Sequence, residues 1–213
     1  MAGTASHKGY RFFDTGWARL AVWEEVLVNR GTHIECVHGA IDRDMCRAIV
    51  EAGDRLRLES DSVDTGAAHQ VDRRVRDSDI AYFPIDGSYE PFYEKMTAIF
   101  HAANEAAWRY RITRLEPLQY TAYGRRQHYN WHTDTFDRAY PEGSELAGLF
   151  RQLSVTVQLT EADAYEGGDL QIMQSQLDNK ITTLSDAREI GTAIVFPSFM
   201  RHKVVPVTKG RRR

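Results

Sequence analysis

The second half of the chain consists of short alternating runs rather than helical periods. Six runs of five to nine residues follow Leu115, divided by Gly, Pro or Asp: QYTAY, HYNWHTDTF, LSVTVQL, GGDLQIM, GTAIVFP and HKVVPV. Alternation of this length is typical of strands with one buried face. Several such strands in succession predict an antiparallel barrel or jelly-roll sandwich.

Two helices are predicted before this region. Asp42 suits the N-cap of a helix over Ile41–Leu58, and a second helix begins at Ser88. The apolar stripe of the second helix predicts core packing and consists of Phe92, Met96, Ile99, Ala103 and Ala107. Residues 10–37 fit either strand or helix, and the polar residues 59–79 predict a loop. We therefore expect an α+β fold with a double-stranded β-helix (jelly-roll, cupin-like) core and N-terminal helices packed on one face.

No sequence feature divides the chain into separate units. We expect a single domain over residues 1–213, with a helical support region at about 1–114 and the jelly-roll catalytic core at about 115–213. The composition, 42% hydrophobic and 27% charged, excludes a disordered tail, a collagen and a coiled coil.

The composition also limits the partners. The net charge of −3 argues against a nucleic-acid partner, and no apolar window approaches the length of a membrane span. The two cysteines, Cys36 and Cys46, indicate reduced thiols and a cytoplasmic location. The sequence predicts no oligomeric state.

A possible metal site lies in the second run. His132 and Asp134 are two residues apart, so a strand directs both side chains to one face. His202 opens a later strand. Two imidazoles and one carboxylate form the facial triad of non-haem Fe(II) enzymes, which leaves three coordination positions open. By itself, however, a His-x-Asp pair is more often a surface histidine beside a capping aspartate.

The neighbouring motifs strengthen the metal interpretation. His202 is followed by Pro206–Val207, Gly210 and Arg212, while a Tyr123–Gly124 pair precedes the strand of His132 and EGGDL lies between the middle strands. Their order and spacing resemble the prolyl-4-hydroxylase-like branch of the 2-oxoglutarate, iron(II)-dependent oxygenases over about residues 40–213. The stretch VRDSDIAYFP and the run from Ala103 to Tyr123 are similar to bacterial PKHD-type hydroxylases.

This resemblance implies a set of site residues. His132, Asp134 and His202 would bind Fe(II), and Arg212 would hold the far carboxylate of the co-substrate 2-oxoglutarate through its planar fork. Dioxygen is the other co-substrate, and ascorbate is the expected reductant. The further residues expected at the co-substrate are Tyr123, Gln158 and Tyr120. For the two tyrosines, core packing remains an open alternative.

The resemblance also implies that the chain continues. Members of the family extend past this arginine with apolar residues that complete the eighth strand. Either the natural chain extends beyond Arg213, which we expect, or its final strand is unusually short. Without such residues, Arg212 would lie near a fraying end and would anchor 2-oxoglutarate poorly.

The implied activity is hydroxylation of an unactivated C–H bond, with 2-oxoglutarate converted to succinate and carbon dioxide. The resemblance suggests a prolyl or other amino-acid residue of a peptide or protein as the substrate. Three alternatives remain open: a free amino acid or small natural product as substrate, a non-catalytic cupin-like metal- or ligand-binding protein, and a hydrolase using zinc or magnesium.

Other residues remain ambiguous. The segments 59–79 and 135–150 are expected to set substrate choice, the second as a lid. Arg73, Arg74 and Arg76 form either a solvated loop or a contact for an acidic substrate. His128 shares a strand face with His132 if alternation is strict, and it is either a surface histidine or a support for the metal ligands.

Overall fold

The computed structural model of the protein describes residues 31–56, 72–135, 139–144, 146–175 and 179–213, with the backbone of 59–60, 63–64 and 69–70. Within these residues the helices are α1 (Arg43–Arg55) and α2 (Glu90–Ala107). The strands are β1 (Glu35–Val37), β2 (Glu59–Ser60), β3 (Val63–Asp64), β4 (His69–Gln70), β5 (Arg76–Asp77), β6 (Asp79–Tyr82), β7 (Gln119–Ala122), β8 (His128–His132), β9 (Leu153–Val157), β10 (Tyr165–Gly167), β11 (Leu170–Ser175), β12 (Lys180–Thr183), β13 (Ala193–Pro197), β14 (His202–Val204) and β15 (Val207–Gly210).

Local sequence features mark the start of α1 and both ends of α2. The Asp42 side chain accepts a hydrogen bond from the Met45 amide at 2.8 Å, which caps α1 as predicted. Helix α2 carries a proline in its first turn, and beyond its end the Asn104 amide bonds both the N–H and the carbonyl of Tyr110. No helix in the described part of the chain has the length and apolarity to span a membrane.

One layer of the fold is assembled from two three-stranded sheets, β1–β13–β9 and β2–β6–β7. The last residues of the chain join them. Arg212 and Tyr123 exchange backbone hydrogen bonds of 2.8 and 2.9 Å, and the Leu159 amide donates to the Arg213 carbonyl at 3.0 Å. The segment after β15 therefore lies between β7 and the extension of β9.

The opposite layer is the five-stranded sheet β12–β11–β14–β8–β5. Its central pair is antiparallel, with His132 of β8 directly opposite His202 of β14. The next pair is Val204 with Tyr129, and the register shifts between the two pairs. The step from one pair to the other is three residues along β8 but two residues along β14. This β-bulge places Tyr129 and His132 on the same face.

Two separate hydrophobic cores follow from this arrangement. The interior core lies between the two layers and includes Tyr123, Leu170, Ile172, Ile194, Phe196 and Val204. The second core packs both helices on the outside of the first layer and includes Cys46, Ile49, Met96, Ile99, Tyr120, Leu153 and Val195. The predicted jelly-roll core with helices on one face is confirmed.

The element predictions were right in kind and imprecise at their ends. The helix expected over Ile41–Leu58 spans Arg43–Arg55, and the one expected from Ser88 begins at Glu90. The prediction that 59–79 is a loop was wrong in part, because Arg76–Asp77 pairs with β8 and Asp79 opens β6. Strands this short show no alternation and are fixed by their distant partners. Of the undecided segment 10–37, residues 10–30 lie outside the described part, while Glu35–Val37 form β1.

Candidate metal and co-substrate site

Three predicted metal ligands meet at one end of the five-stranded layer. His132 ends β8, Asp134 follows in a bend and His202 begins β14. The Nε2 atom of His132 lies 3.6 Å from Asp134 Oδ1, and Nε2 of His202 lies 3.5 Å from Asp134 Oδ2. One ligand atom from each residue lies within 4.8 Å of the others. The structure therefore brings the predicted triad together.

The two histidine rings are fixed by hydrogen bonds from their other nitrogens. Nδ1 of His132 lies 2.7 Å from the Asn130 carbonyl, and Nδ1 of His202 lies 2.9 Å from the Met200 carbonyl. A carbonyl only accepts, so Nδ1 carries the hydrogen and Nε2 presents its lone pair to the cluster. This arrangement is typical of histidines that bind a metal, and two imidazoles with one carboxylate suit Fe(II).

The electrostatics of the cluster favour a charged Asp134 carboxylate and a neutral His202 imidazole. Burial opposes ionisation of Asp134, but hydrogen bonding with His132 and the nearby imidazoles outweigh it, so the pKa of Asp134 lies well below its usual value. Burial lowers the pKa of His202, against the opposing effect of the Asp134 charge. Both directions match the protonation states that bind a divalent cation.

An aromatic stack supports one side of the cluster. The centres of the Tyr129 and His132 rings are 3.4 Å apart and the rings are nearly parallel, while the Arg76 guanidinium lies 4.4 Å from the centre of the Tyr129 ring. Strict alternation predicts that His128 lies on the same strand face as His132. Because of the bulge in β8, Tyr129 lies there instead. The His128 ring instead lies near the backbone carbonyls of Arg126 and Arg74.

The three arginines of the 73–76 segment have different environments. Arg74 is exposed and pairs with Asp72, and Arg73 is exposed as well. Arg76 is 8% exposed and donates to Ser78 and Gln119 at 2.9 and 2.8 Å. It also lines the same cavity as the triad. The solvated-loop interpretation therefore holds for two of them and fails for Arg76.

The predicted co-substrate anchor lies inside the jelly roll. Arg212 is 4% exposed, its Nε donates to Gln158 Oε1 at 3.2 Å, and its guanidinium lies 5.7 Å from the centre of the Tyr123 ring. The backbone bonds of Arg212 with Tyr123 keep the segment from fraying. Gly168 of the EGGDL motif leaves space for this side chain, since a Cβ there would lie 3.2 Å from Arg212 Cδ.

The structure does not bring Tyr120 to this group. Tyr120 packs in the helix-side core, 2% exposed, where Gly53 of α1 lies against its ring. Its hydroxyl donates to Asp54 Oδ1 at 2.7 Å. Burial and this bond raise the pKa of Tyr120. Because Tyr120 and Tyr123 are three residues apart on an extended segment, they face opposite sides of the layer.

Sequence reasoning missed several residues that contact Asp134. Ser154 Oγ donates to Asp134 Oδ2 at 2.6 Å. The backbone amide of Asp134 donates to the Ser198 carbonyl at 2.9 Å, and the Asp134 carbonyl accepts from the Arg151 guanidinium at 2.9 Å. One signal was available for Ser154, which shares a strand face with Gln158 because the two are four residues apart. The contacts of Arg151 and Ser198 join distant segments and leave no local pattern.

The comparisons with known proteins agree with this geometry. Residues 118–213 match the model of the 2OG-Fe(II) oxygenase superfamily. The match covers slightly less than half of the chain and shows a resemblance to that superfamily. The chain is also similar to a PKHD-type hydroxylase from Alteromonas mediterranea, with 35% identity over 99 residues. That alignment covers 46% of this chain and 41% of the relative, so the matched region spans less than half of the relative's length.

Solved structures extend the likeness to most of the fold. A Pseudomonas putida prolyl-4-hydroxylase superimposes with a TM-score of 0.64 at 18% identity, covering 91% of this chain and 94% of that one. A prolyl hydroxylase from Trichoplax adhaerens, solved with a hypoxia inducible factor peptide fragment, gives 0.61 at 15%, covering 93% and 90%. At such identities the likeness shows the fold alone. Together with the family match, it confirms the predicted resemblance to the prolyl-4-hydroxylase-like branch.

Proposed function

We propose that this chain contains the catalytic core of an Fe(II)- and 2-oxoglutarate-dependent dioxygenase that hydroxylates an unactivated C–H bond. The observation that carries the proposal is a single cavity lined by both the triad and a buried guanidinium, Arg212. A metal with open positions beside a fixed cation suits a dicarboxylate that chelates at one end and forms an ion pair at the other.

The protein residues bind and orient the reactants. His132, Asp134 and His202 would hold the metal, while Arg212, positioned by Gln158 and flanked by Tyr123, would hold the far carboxylate of 2-oxoglutarate. Bound Fe(II) and 2-oxoglutarate would supply the chemistry: dioxygen oxidises 2-oxoglutarate to succinate and carbon dioxide and adds one oxygen atom to the substrate C–H bond. Ascorbate would keep the metal reduced.

The proposed substrate is a prolyl or other amino-acid residue within a peptide or protein. The cavity that the triad and Arg212 line has a volume of about 950 Å³ and also reaches helix-side residues such as Ile49 and Met96. The peptide bound by the Trichoplax adhaerens prolyl hydroxylase supports the choice of a peptide.

The other hypotheses fit the site less well. A binding protein without turnover has no need for a metal triad beside a cation, and a metal-dependent hydrolase needs a general base at the metal-bound water. A hydrolase also has no need for a buried cation at the position of Arg212. The free amino acid remains the second candidate substrate, with the same chemistry.

Succinate formation tests the activity. Wild-type protein supplied with Fe(II), ascorbate and 2-oxoglutarate should form succinate, and a panel of proline-containing peptides should increase the rate. His132→Ala should abolish turnover and Mn(II) binding because it removes one of three ligands. His128→Ala is the matched control on the same strand and should retain both. Wild-type protein that binds neither Mn(II) nor 2-oxoglutarate would contradict the proposal.

A further inference from the structure

Two buried serines form a hydrogen-bonded chain behind the Asp134 carboxylate. Ser154 Oγ lies 2.6 Å from Asp134 Oδ2 and 2.9 Å from Ser198 Oγ. Ser154 is 9% exposed and Ser198 is fully buried. They come from β9 and from the turn after β13, elements that contribute no metal ligand. Among the described residues, the hydroxyl contacts of the two serines lead to one oxygen of Asp134.

Counting protons fixes the direction of this chain. A carboxylate that binds a metal is ionised and can only accept hydrogen bonds. Ser154 has one hydroxyl hydrogen and must donate it to Asp134 Oδ2. The contact between the two serines therefore requires Ser198 to donate to Ser154. The chain runs from Ser198 through Ser154 to Asp134, without an alternative orientation.

The backbone of Asp134 is held independently. Its amide donates to the Ser198 carbonyl at 2.9 Å, and its own carbonyl accepts from Arg151 at 2.9 Å. With the backbone fixed on both sides, rotation of the side chain is the remaining freedom of this ligand. The hydrogen bond from Ser154 restricts that rotation and engages Oδ2, which also lies 3.5 Å from His202 Nε2, while Oδ1 lies 3.6 Å from His132 Nε2 and accepts no hydrogen bond from either serine.

We propose that Ser154, supported by Ser198, is a positioning residue that makes Asp134 bind the metal through one oxygen only. This inference rests on the proposed function. Three ligand atoms leave three positions of an octahedron open, two for the chelating co-substrate and one for dioxygen. A carboxylate free to turn can bind through both oxygens, which fills a fourth position and competes with 2-oxoglutarate.

The test compares metal binding with co-substrate binding. Mn(II) is titrated into the apoprotein and 2-oxoglutarate into the Mn(II)-loaded protein, both by calorimetry, with thermal unfolding as a check of folding. Ser154→Ala should weaken 2-oxoglutarate binding by about 10- to 100-fold, the size of loss in metal affinity or activity that is usual when a group that orients a metal ligand is removed. Mn(II) binding should weaken less, because all three ligands remain.

Three further variants separate orientation from packing. Ser154→Thr keeps the hydroxyl and should restore 2-oxoglutarate binding to near the wild-type value. Ser198→Ala removes only the supporting donor and should give a smaller loss than Ser154→Ala. Thr192→Val removes a fully buried hydroxyl just before β13 and, as a matched control, should leave both affinities unchanged.

The outcomes are distinguishable from failure of the proposed function. Wild-type protein that fails to bind Mn(II) or 2-oxoglutarate overturns both the function and this inference. Wild-type protein that binds both, with Ser154→Ala within twofold of it for 2-oxoglutarate, overturns the inference alone. The inference is also overturned if Ser154→Ala loses affinity for 2-oxoglutarate and Ser198→Ala loses none. An equal loss of affinity in Thr192→Val overturns it as well.

Discussion

Replacing Arg212 with lysine should weaken 2-oxoglutarate binding strongly while preserving the charge. The Nε of Arg212 is engaged by Gln158, so the two terminal nitrogens remain to form a parallel pair of hydrogen bonds with a carboxylate. Lysine presents a single ammonium and loses one charge-assisted bond of about 1.5–3 kcal/mol. Since 1.4 kcal/mol is a factor of ten, the dissociation constant should rise roughly 10- to 140-fold.

Calorimetric titration of 2-oxoglutarate into Mn(II)-loaded protein measures this loss, and thermal unfolding confirms that the variant folds. The matched control is Arg211→Lys at the neighbouring position. Arg211 pairs with Asp79 at 3.3 Å, both side chains are 39% exposed, and the change should leave the affinity within about twofold. Arg212→Lys with wild-type affinity, or an equal loss in Arg211→Lys, would refute the assignment of the anchor.

Two other substitutions test the surroundings of this anchor. Tyr120→Phe removes the hydroxyl bonded to Asp54 and should cost about 1 kcal/mol of unfolding free energy in urea denaturation without changing 2-oxoglutarate affinity; a weaker affinity would instead support the co-substrate role predicted from the sequence. Gly168→Ala puts a side chain at φ +67° with its Cβ 3.0 Å from Val207 Cγ2, so it should cost about 1–2 kcal/mol or more and also weaken co-substrate binding by shifting Arg212; retention of both wild-type values would contradict the close packing.

The candidate metal site could be predicted because two of its three residues lie close together in the sequence. His132 and Asp134 lie two residues apart, and their chemistry limits the metals they suit. Adding His202 required the resemblance to a family, since spacing alone does not join strands 70 residues apart. The structure brings the three side chains together as predicted, but strand alternation is not what positions Asp134. Asp134 lies beyond the end of β8 and is held by Ser198, so regular alternation describes the result but not its cause.

The rest of the site depends on pairings that the sequence does not display. Arg76 looked like one member of a charged loop, yet pairing of β5 with β8 places it over Tyr129. The bulge in β8 has no composition signal, and it decides that Tyr129 rather than His128 stacks on His132, a proposed metal ligand. A β-bulge arises when one strand of a pair has an extra residue opposite its partner.

Arg212 links the closure of the fold to the expected binding of the co-substrate. Its backbone joins Tyr123 on one side, and the next residue joins Leu159 on the other, so this segment completes one layer of the jelly roll. Its side chain enters the interior and reaches Gln158. A carboxylate bound there would stabilise the closing segment, because ligand that binds only the folded form stabilises it. Binding of a carboxylate by Arg212 and pairing of this segment with Tyr123 and Leu159 would therefore stabilise each other.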